Sequence, residues 1–591
     1  MTFTAPVDDI MLALKTAGDL DGLLGRELYE GLDEDTIRAV IEEAGRFAEG
    51  VLAPINATGD RAGSRLVDGK VASPPGWKEA YDGFTAGGWA ALPCAAEWGG
   101  QGLPETVSLA VCEIWNSANL AFGLLPLLTQ GTVDALLAHG SDEVKQRYLP
   151  KLVSGEWSGT MNLTEPQAGS DLGALRTRAE RQPDGSYRIF GTKIFITYGE
   201  HELSGNIIHM VLARLPDAPP GTRGISLFLV PKVQVNADGT LGERNDVVCA
   251  SLEHKLGIHA SPTCVMKYGE KDGAVGYLVG EENRGLNIMF IMMNEARLAV
   301  GAQGVGLAER ATQRALAYAK ERRQGRSAAT RGAEMAPIIE HPDIRRALLG
   351  MQSLTQAARM ICLATAAAID ISHRGKDEAE RAAGAARAAL LTPAAKAFAT
   401  DIGVEVASMG LQVHGGMGFI EETGAAQDYR DARILPIYEG TNGIQAIDLV
   451  TRKVPLDGGR VIAAYIAELE RTVAEVKASN QPAFGRMADR LGEAVAALKE
   501  ATAWLGSALQ SNQEAALAGA TPYLRLFGLA AGGGYLARAA LAAARGADAP
   551  STISIARYFA ENMLTAAAGL STAITTGADA VLEATPERLG A

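Results

Sequence analysis

The sequence predicts a mainly α-helical protein with one central β domain. Apolar residues recur at helical spacing through the first ~155 residues, and short β-rich runs fill the stretch from about 160 to 280. Ala-rich segments with few helix breakers follow from about 286 onward. The chain has 591 residues. Because one domain usually has roughly 100–200 residues, we expect several structural units.

We predict four domains. Residues 1–158 form an N-terminal helical domain, since apolar side chains such as Ile37, Ile41 and Ala44 recur at steps of three and four. Residues 159–285 form a β domain, because runs such as YRIFGTKIFIT and GISLFLVPKV alternate with PDG, PPG and NADG turns. This spacing indicates one small antiparallel barrel or sandwich. Residues 286–455 form a helical domain. Residues 456–591, after an LDGG break, form a further domain of three to five helices.

Composition argues against several classes of function. A net charge of −14 disfavours non-specific binding of nucleic acid, which needs a basic face. The five cysteines are scattered without CxxC spacing, so we expect reduced thiols in a cytoplasmic protein, with neither disulfides nor a metal site. We identify no uncharged, strongly apolar stretch of about 20 residues and therefore expect no membrane span. The N-terminal segment carries acids where a signal peptide would carry Lys or Arg.

The segment MNLTEPQAGSDLGA, residues 161–174, is a candidate binding motif. Its small residues Ala168, Gly169 and Ser170 would let a ligand approach the backbone. Ser170 and Thr164 also offer hydroxyl groups for hydrogen bonds. Taken alone, each of these residues fits an ordinary polar turn equally well.

A second candidate motif is KIFITYG, residues 193–199. On a strand, Phe195 and Thr197 would share one face because side chains alternate. An aromatic ring and a hydroxyl on one face suit a flat heteroaromatic ligand, which stacks on the first and hydrogen-bonds to the second. A half-buried core strand is the simpler interpretation of this segment alone.

The third motif is LQVHGGMGFIEETGAAQDYRDARILPIYEGTNGIQ, residues 411–445. Three glycines near its start form a loop that a phosphate or nucleotide could approach closely: Gly415, Gly416 and Gly418. Such a glycine pattern alone is weak support for a site. Near the end, Glu439 precedes Gly440, and glycine permits a turn that could present the carboxylate at a cleft. The alternative for a single Glu is a solvated surface position.

These segments, in this order, resemble the acyl-CoA dehydrogenases over about residues 35–455. The blocks LTEPxAGSDxG and QxxGGxGF…RDxRxxxIYEGTxxIQ carry the resemblance. Two departures are Asn162, where a small residue is usual, and Phe195, where many members have Trp. The resemblance implies an N-terminal helical domain, a small β-barrel or sandwich, a four-helix bundle and, in this long form, an additional C-terminal helical domain.

The resemblance implies FAD-dependent α,β-dehydrogenation of an acyl-CoA thioester, with Glu439 as the base that removes the α-proton. The backbone N–H of Glu439 would then donate to the thioester oxygen, as in other sites that stabilise a developing oxyanion. Some members carry the base at the position of Ala296, which cannot act as one. Glu295 is adjacent, but one residue turns a helical side chain by roughly 100°, so we expect it to point elsewhere.

The resemblance also implies positions for both ligands. The expected FAD contacts are Met161, Leu163, Thr164, Ser170, Phe195, Thr197, Gln412, Gly415, Gly416 and Thr441, with Arg322 and Gln324 reaching the FAD of a neighbouring subunit. The expected acyl-CoA contacts are Ser170, Asn294, Arg297 and Gly440, with Arg297 also ordering the active-site helix.

Partners and substrate follow from the same resemblance. A shared FAD implies an oligomer, and for the long form a homodimer. Since the sequence shows no second redox-cofactor motif, electron-transfer flavoprotein is the expected acceptor. The segments EWSGTMNLTEPQAGSD and EHKLGIHASPTCVM resemble a bacterial branch that oxidises 3-methylmercaptopropionyl-CoA in dimethylsulfoniopropionate breakdown. Alternatives are a short- or medium-chain fatty acyl-CoA dehydrogenase and, less favoured, an acyl-CoA oxidase, a flavin monooxygenase or a non-enzymatic scaffold. The intact YEGT motif argues against the last two.

Overall fold

The computed structural model describes residues 3–25, 29, 31–327, 335–546 and 550–590. Its elements follow the predicted order of helical, β, helical and helical regions. The mainly α fold with a central β domain is therefore confirmed.

The N-terminal region is helical apart from one short hairpin, which the sequence analysis did not predict. Polar caps set several helix starts: the side chain of Asp33 accepts from Thr36 N at 2.7 Å, for example. The helices are α1 Val7–Thr16, α2 Leu20–Gly25, α3 Glu34–Phe47, α4 Ala53–Ala62, α5 Trp77–Ala86, α6 Glu105–Ala118, α7 Leu120–His139 and α8 Asp142–Val153, and the hairpin strands are β1 Arg65–Val67 and β2 Lys70–Ala72.

The β domain contains one eight-stranded sheet and a two-stranded hairpin. Its strands are β3 Trp157–Asn162, β4 Arg178–Arg181, β5 Tyr187–Thr197, β6 Asn206–Arg214, β7 Ile225–Pro231, β8 Val233–Val235, β9 Leu241–Arg244, β10 Val247–Leu252, β11 Thr263–Tyr268 and β12 Ala274–Leu278. In the larger sheet the strand order is β10-β11-β5-β12-β7-β6-β3, and β4 pairs with both β5 and β6.

These pairings close a small barrel. The first half of β5 pairs with β4 and β12, and β6 pairs with β7 and, through one residue pair, with β4. The ring β4-β5-β12-β7-β6 is a barrel, which is one of the two forms, barrel or sandwich, that the sequence predicts. One detail differs, because β3 runs parallel to β6 and the sheet is not purely antiparallel. The connection between these strands contains the β4–β5 hairpin, so it is long enough to return the chain to the same end of the sheet.

Three long helices dominate the region after the β domain: α9 Gly285–Glu321, α10 Pro342–Arg374 and α11 Glu378–His414, followed by the short α12 Ala425–Ala432 and α13 Asn442–Asp448. Glycines let α9 and α11 pack very closely. A Cβ at Gly301 would lie 2.6 Å from the carbonyl oxygen of Ala395, and one at Gly304 would lie 2.4 Å from that of Ala399. Contacts advance in the same direction along both helices, so α9 and α11 are parallel.

The described part of the C-terminal region contains seven α-helices, more than the three to five predicted. Asn512, Gly519 and Gly577 divide the Ala-rich segments further, because each stands between two helices. The helices are α14 Arg460–Ala478, α15 Met487–Ser511, α16 Gln513–Ala518, α17 Ala520–Ala543, α18 Pro550–Tyr558, α19 Ala567–Thr576 and α20 Ala578–Leu582. Helix α17 is largely buried and packs against α10 and α11.

Among the described residues, three helices are long and apolar enough to cross a membrane by length and composition alone. They are α7, α10 and α17, with mean hydropathy of 1.5, 1.3 and 1.3 over their most apolar windows. Inside the protein, 72%, 89% and 83% of these windows are buried. The apolar surface of each helix is thus largely covered by packing within the fold.

A buried ion network joins three of the helices. The guanidinium of Arg359 on α10, fully buried, donates to Glu113 on α6 and to Glu309 on α9, each at 2.7 Å. A second network joins Arg310 on α9 to Asp428 on α12 at 2.6 Å. Since a buried charge without a partner is strongly unfavourable, these pairs restrict how α6, α9, α10 and α12 can be arranged.

The close packing of α9 on α11 predicts a specific sensitivity. Gly304→Ala should lower the free energy of unfolding by about 1–3 kcal/mol, because the new methyl group would overlap the backbone of α11. Chemical denaturation followed by circular dichroism measures this change. Gly506→Ala in α15 is the matched control, since a Cβ there meets no atom within 4 Å. It should leave stability unchanged or raise it by up to ~1 kcal/mol. Equal effects at both positions would contradict the packing argument.

Candidate functional site

The turn between α12 and α13 presents the side chain of Glu439. Glu439 and Gly440 both have left-handed backbone, with φ of 55° and 80°. For a residue other than glycine this conformation is uncommon, and such strain concentrates at functional sites. Thr441 ends the turn, because its hydroxyl accepts from Ile444 N at 3.3 Å and caps α13. Within the described residues, the backbone N–H of Glu439 donates to no protein acceptor.

Three side chains that the sequence analysis did not identify fasten this turn. Lys396 on α11 donates to the carbonyl of Gly440 at 3.0 Å and to Oδ1 of Asn442 at 2.8 Å. Gln445 donates to the carbonyl of Glu439 at 3.3 Å. The sequence offers one indication for Lys396. It lies in the apolar helical stretch PAAKAFA, and a single lysine in such a stretch is expected to be buried. Gln445 is the last fixed residue of the IYEGTxxIQ block, whereas Asn442 occupies one of its variable positions.

Charges on two helices flank the half-buried carboxyl group of Glu439. Burial raises its pKa, and the positive charges of Arg297 on α9 and Lys396 on α11 oppose that rise. Arg297 is buried as well, and its Nη1 donates to Oδ1 of the exposed Asn294 at 3.3 Å. Its buried Nε makes no hydrogen bond to any part of the chain that the structure describes. The site therefore places one carboxyl group beside two cations, in surroundings where charge interactions are strong.

A cavity lies between α6, α7 and α9 and the 84–93 segment. Its volume is about 90 Å³. The aromatic side chains of Phe84, Trp89 and Trp115 line it, together with Glu295 and Ala296. Burial raises the pKa of Glu295 to about 8. Glu295 and Ala296 therefore both line the cavity. The expectation that Glu295 points away from Ala296, because it is one residue further round the helix, is wrong.

The segment that follows β3 is fastened to β5. Met161 is buried on β3, and the half-buried Leu163 and Thr164 follow it. The carbonyl of Leu163 accepts from Nζ of Lys193, and that of Thr164 accepts from Ile194 N, both at 2.9 Å. A further predicted residue of this segment, Ser170, is exposed.

Phe195 interrupts the regular geometry of β5. Its φ is 61°, and the pairing of β5 with β11 shifts register at this point, as in a β-bulge. Its side chain is 58% exposed, which is unusual for a large aromatic residue. Ile196 is buried, whereas Thr197 is again partly exposed. This alternation agrees with a common face for Phe195 and Thr197.

The remaining predicted residues lie at the other end of the long helices. Tyr318 and His414 stack with ring centroids 4.5 Å apart, so the C-terminal ends of α9 and α11 meet. From Arg297 to Arg322 the chain rises roughly 35–40 Å along α9. Within one chain, the residues at this end are therefore far from Arg297 and the turn at Glu439. The group at this end consists of the exposed Arg322, Gln324, Gln412, Gly415 and Gly416.

Family models cover most of the chain. They match the acyl-CoA dehydrogenase N-terminal domain at residues 34–156, the middle domain at 160–269 and the C-terminal domain at 283–454. A fourth model, described as acetyl-CoA dehydrogenase C-terminal like, matches residues 465–585. The chain belongs to the acyl-CoA dehydrogenase family and is an oxidoreductase of that family.

Individual relatives agree with this membership. A 3-methylmercaptopropionyl-CoA dehydrogenase of Ruegeria pomeroyi is 50% identical over 99% of this chain and 100% of its own length. A butyryl-CoA dehydrogenase of Syntrophomonas wolfei is 36% identical over 83% of this chain and 82% of its own. The structure of an acyl-CoA dehydrogenase complexed with FAD from Bacillus anthracis shares the fold, with a TM-score of 0.75 at 20% identity over 93% of this chain and 89% of that one.

Acyl-CoA dehydrogenases use FAD, and two features of this chain fit that cofactor. Phe195 offers an exposed aromatic face for a flat ring system. Gly415 takes left-handed backbone with φ of 60°, whereas at Gly416 the backbone is ordinary and a Cβ would meet no atom within 4 Å, so the missing side chain of Gly416 serves no packing within the chain. It leaves the backbone open to a ligand such as a nucleotide.

This openness predicts the effect of filling one glycine position. Gly416→Leu should lower FAD content well below that of the unmodified protein. The new side chain would not clash with the chain itself, but it would fill the space in which we expect the cofactor to bind. Flavin absorbance per mole of purified protein measures the content. Gly506→Leu, at another open glycine, should retain FAD. Full FAD content in Gly416→Leu would show that the cofactor does not approach this loop.

Proposed function

We propose that the protein converts an acyl-CoA thioester to the trans-2-enoyl-CoA with Glu439 as the catalytic base. The observation that carries this proposal is the turn at Glu439. It combines a half-buried carboxyl group, two flanking cations and a backbone N–H without a protein acceptor. A base and an oxyanion donor on the same residue suit removal of a proton next to a thioester carbonyl.

The roles of the residues follow from this arrangement. The carboxylate of Glu439 takes the α-proton as the Cα–H bond breaks. Its backbone N–H donates to the thioester oxygen, where negative charge develops. FAD, when bound, supplies the acceptor for the hydride that leaves the β-carbon. Met161, Leu163, Thr164, Ser170, Phe195, Thr197 and Thr441 would hold the flavin part, and Asn294, Arg297, Gly440 and Ser170 the acyl-CoA.

Replacement of the base predicts a large kinetic defect. Glu439→Gln keeps the shape of the side chain but removes its basicity, so FAD and acyl-CoA should still bind. The rate of flavin bleaching by substrate should fall by at least ~10²-fold, a typical contribution of a general base. Stopped-flow absorbance measures this rate. Glu295→Gln is the matched control, because Glu295 is the other carboxyl group considered for this role. Near-normal bleaching in Glu439→Gln together with a defect in Glu295→Gln would reassign the base.

We further propose 3-methylmercaptopropionyl-CoA as the substrate, with methylthioacryloyl-CoA as the product. The support is the 50% identical relative of that name, which matches the chain over nearly its whole length. Sulfur forms favourable contacts with aromatic rings, so the aromatic side chains around the cavity at Ala296 would suit a thioether if the acyl group enters it. A short-chain fatty acyl-CoA is the alternative, supported by the butyryl-CoA dehydrogenase relative.

The substrate proposal predicts an overlapping range of activity. A thioether sulfur replaces one CH₂ of a pentanoyl chain, and one methylene changes discrimination by only about 1–3 kcal/mol. Rates on the methylthio substrate and on C4–C6 acyl-CoAs should therefore lie within a factor of about 200, whereas chains of about C12 and above should be poor substrates. Measurement of kcat/KM on this panel tests the range. Highest kcat/KM on palmitoyl-CoA with an inert methylthio substrate would leave only the broader family assignment.

Partners and location complete the proposal. Electron-transfer flavoprotein is the proposed acceptor, since the sequence contains no second redox-cofactor motif; transfer to oxygen, as in an oxidase, is the alternative. A homodimer is proposed because, within one chain, Arg322 and Gln324 lie far from the turn at Glu439, and a second subunit could bring them to the cofactor of the first. Cytoplasmic location also remains a prediction.

A further inference from the structure

Lys396 lies directly behind the turn that carries Glu439, and its side chain is fully buried. Its ammonium group donates to the carbonyl of Gly440 and to Oδ1 of Asn442. The amide of Asn442 in turn donates to Asp401 on α11 at 2.7 Å. A buried ammonium must find its hydrogen-bond acceptors inside the protein. These hydrogen bonds therefore hold the turn in one position relative to α11.

We propose that Lys396 is a positioning residue, which fixes the turn at Glu439 and places a positive charge behind it. This inference rests on the proposed role of Glu439 as the base. The left-handed backbone of Glu439 is unfavourable for a residue with a side chain and persists only where its surroundings hold it. Lys396 supplies that restraint on the carbonyl of the next residue. The same restraint orients the free N–H of Glu439.

The charged groups around Lys396 come from three sides. Arg297 faces it from α9, Asp401 from α11 and Glu439 from the turn. Burial lowers the pKa of Lys396 to about 7, while the two carboxyl groups raise it and Arg297 lowers it.

A second layer of charges faces these groups. Arg525 on α17 and Glu405 on α11 act on Asp401. Asp448 on α13 and Arg452 act on Arg297. The ammonium of Lys396 and the guanidinium of Arg297 are the cations that lower the pKa of Glu439.

The sign of the pH effect follows from these causes. Burial raises the pKa of Glu439, and the charges of Arg297 and Lys396 lower it. Without the charge of Lys396, the pKa of Glu439 rises further, so the base is ionised only at higher pH. The loss of activity is therefore greatest on the acid side. It shrinks toward alkaline pH, where Lys396 of the unmodified enzyme has also lost its proton.

Two substitutions separate charge from hydrogen bonding in the FAD-loaded enzyme. Lys396→Met removes both, whereas Lys396→Gln removes the charge and keeps a donor. The rate of flavin reduction by acyl-CoA is measured in single turnovers from about pH 6 to pH 9. In both variants the acid limb should move to higher pH, so the rate should fall about tenfold more at acid pH than at alkaline pH. At alkaline pH, Lys396→Gln should be faster than Lys396→Met.

Lys232→Met is the matched control. Lys232 is a partly buried lysine of the β domain that pairs with Glu200 and donates to the carbonyl of His201 at 3.0 Å. Its loss should lower stability without moving the acid limb. If both Lys396 variants keep the acid limb and the alkaline rate of the unmodified enzyme, Lys396 has only a structural role and the proposal is wrong.

Further variants keep this test decisive. If Lys396 acts through Glu439, adding Lys396→Met to Glu439→Gln should cause little further loss, and a full independent loss would overturn the proposal. A normal rate in Glu439→Gln alone would overturn the proposed function instead, whatever the Lys396 variants show.

Asn442→Ala is the variant to use if neither Lys396 variant folds, because it removes one of the two acceptors of Lys396 but keeps the charge. It should lower the rate at every pH without moving the acid limb, and an unchanged rate would contradict the positioning role.

Discussion

The close contact between α9 and α11 is the constraint on which the rest of the site depends. Gly301 and Gly304 bring α9 against the backbone of α11 near Ala395 and Ala399. A side chain at either glycine would separate the two helices. The contact places Arg297, one turn before Gly301, and Lys396, next to Ala395, on elements that cannot move apart independently.

The two helices thereby hold the turn at Glu439 in surroundings of opposite charge. A carboxyl group removed from water is a weaker acid, and one kept wholly neutral could not accept a proton. Two nearby cations oppose this effect, and α9 and α11 contribute one each. A proton acceptor for a very weak carbon acid needs this balance, because it must be ionised and still basic.

The β domain contributes a different kind of constraint. Its barrel is closed by β4, which pairs with the first half of β5, whereas the second half of β5 pairs with β11 through a shift in register. The shift occurs at Phe195, which takes left-handed backbone and exposes its ring. Strain and an exposed aromatic side chain at one position are both unfavourable in isolation. Their coincidence supports the proposed contact between Phe195 and FAD.

The sequence by itself determined the order of helical and β regions, the barrel and the motifs around Glu439, because periodicity and turn chemistry are local properties. It did not determine how the Ala-rich C-terminal segments divide, since the breaks depend on single caps such as Asn512. Only the tertiary structure decided that Lys396 belongs to the site. The lysine is far along the chain from Glu439, and its role arises from the packing of α11 against the turn. The position of Glu295 on the cavity wall was likewise decided by how α6, α7 and α9 meet, which no local pattern specifies.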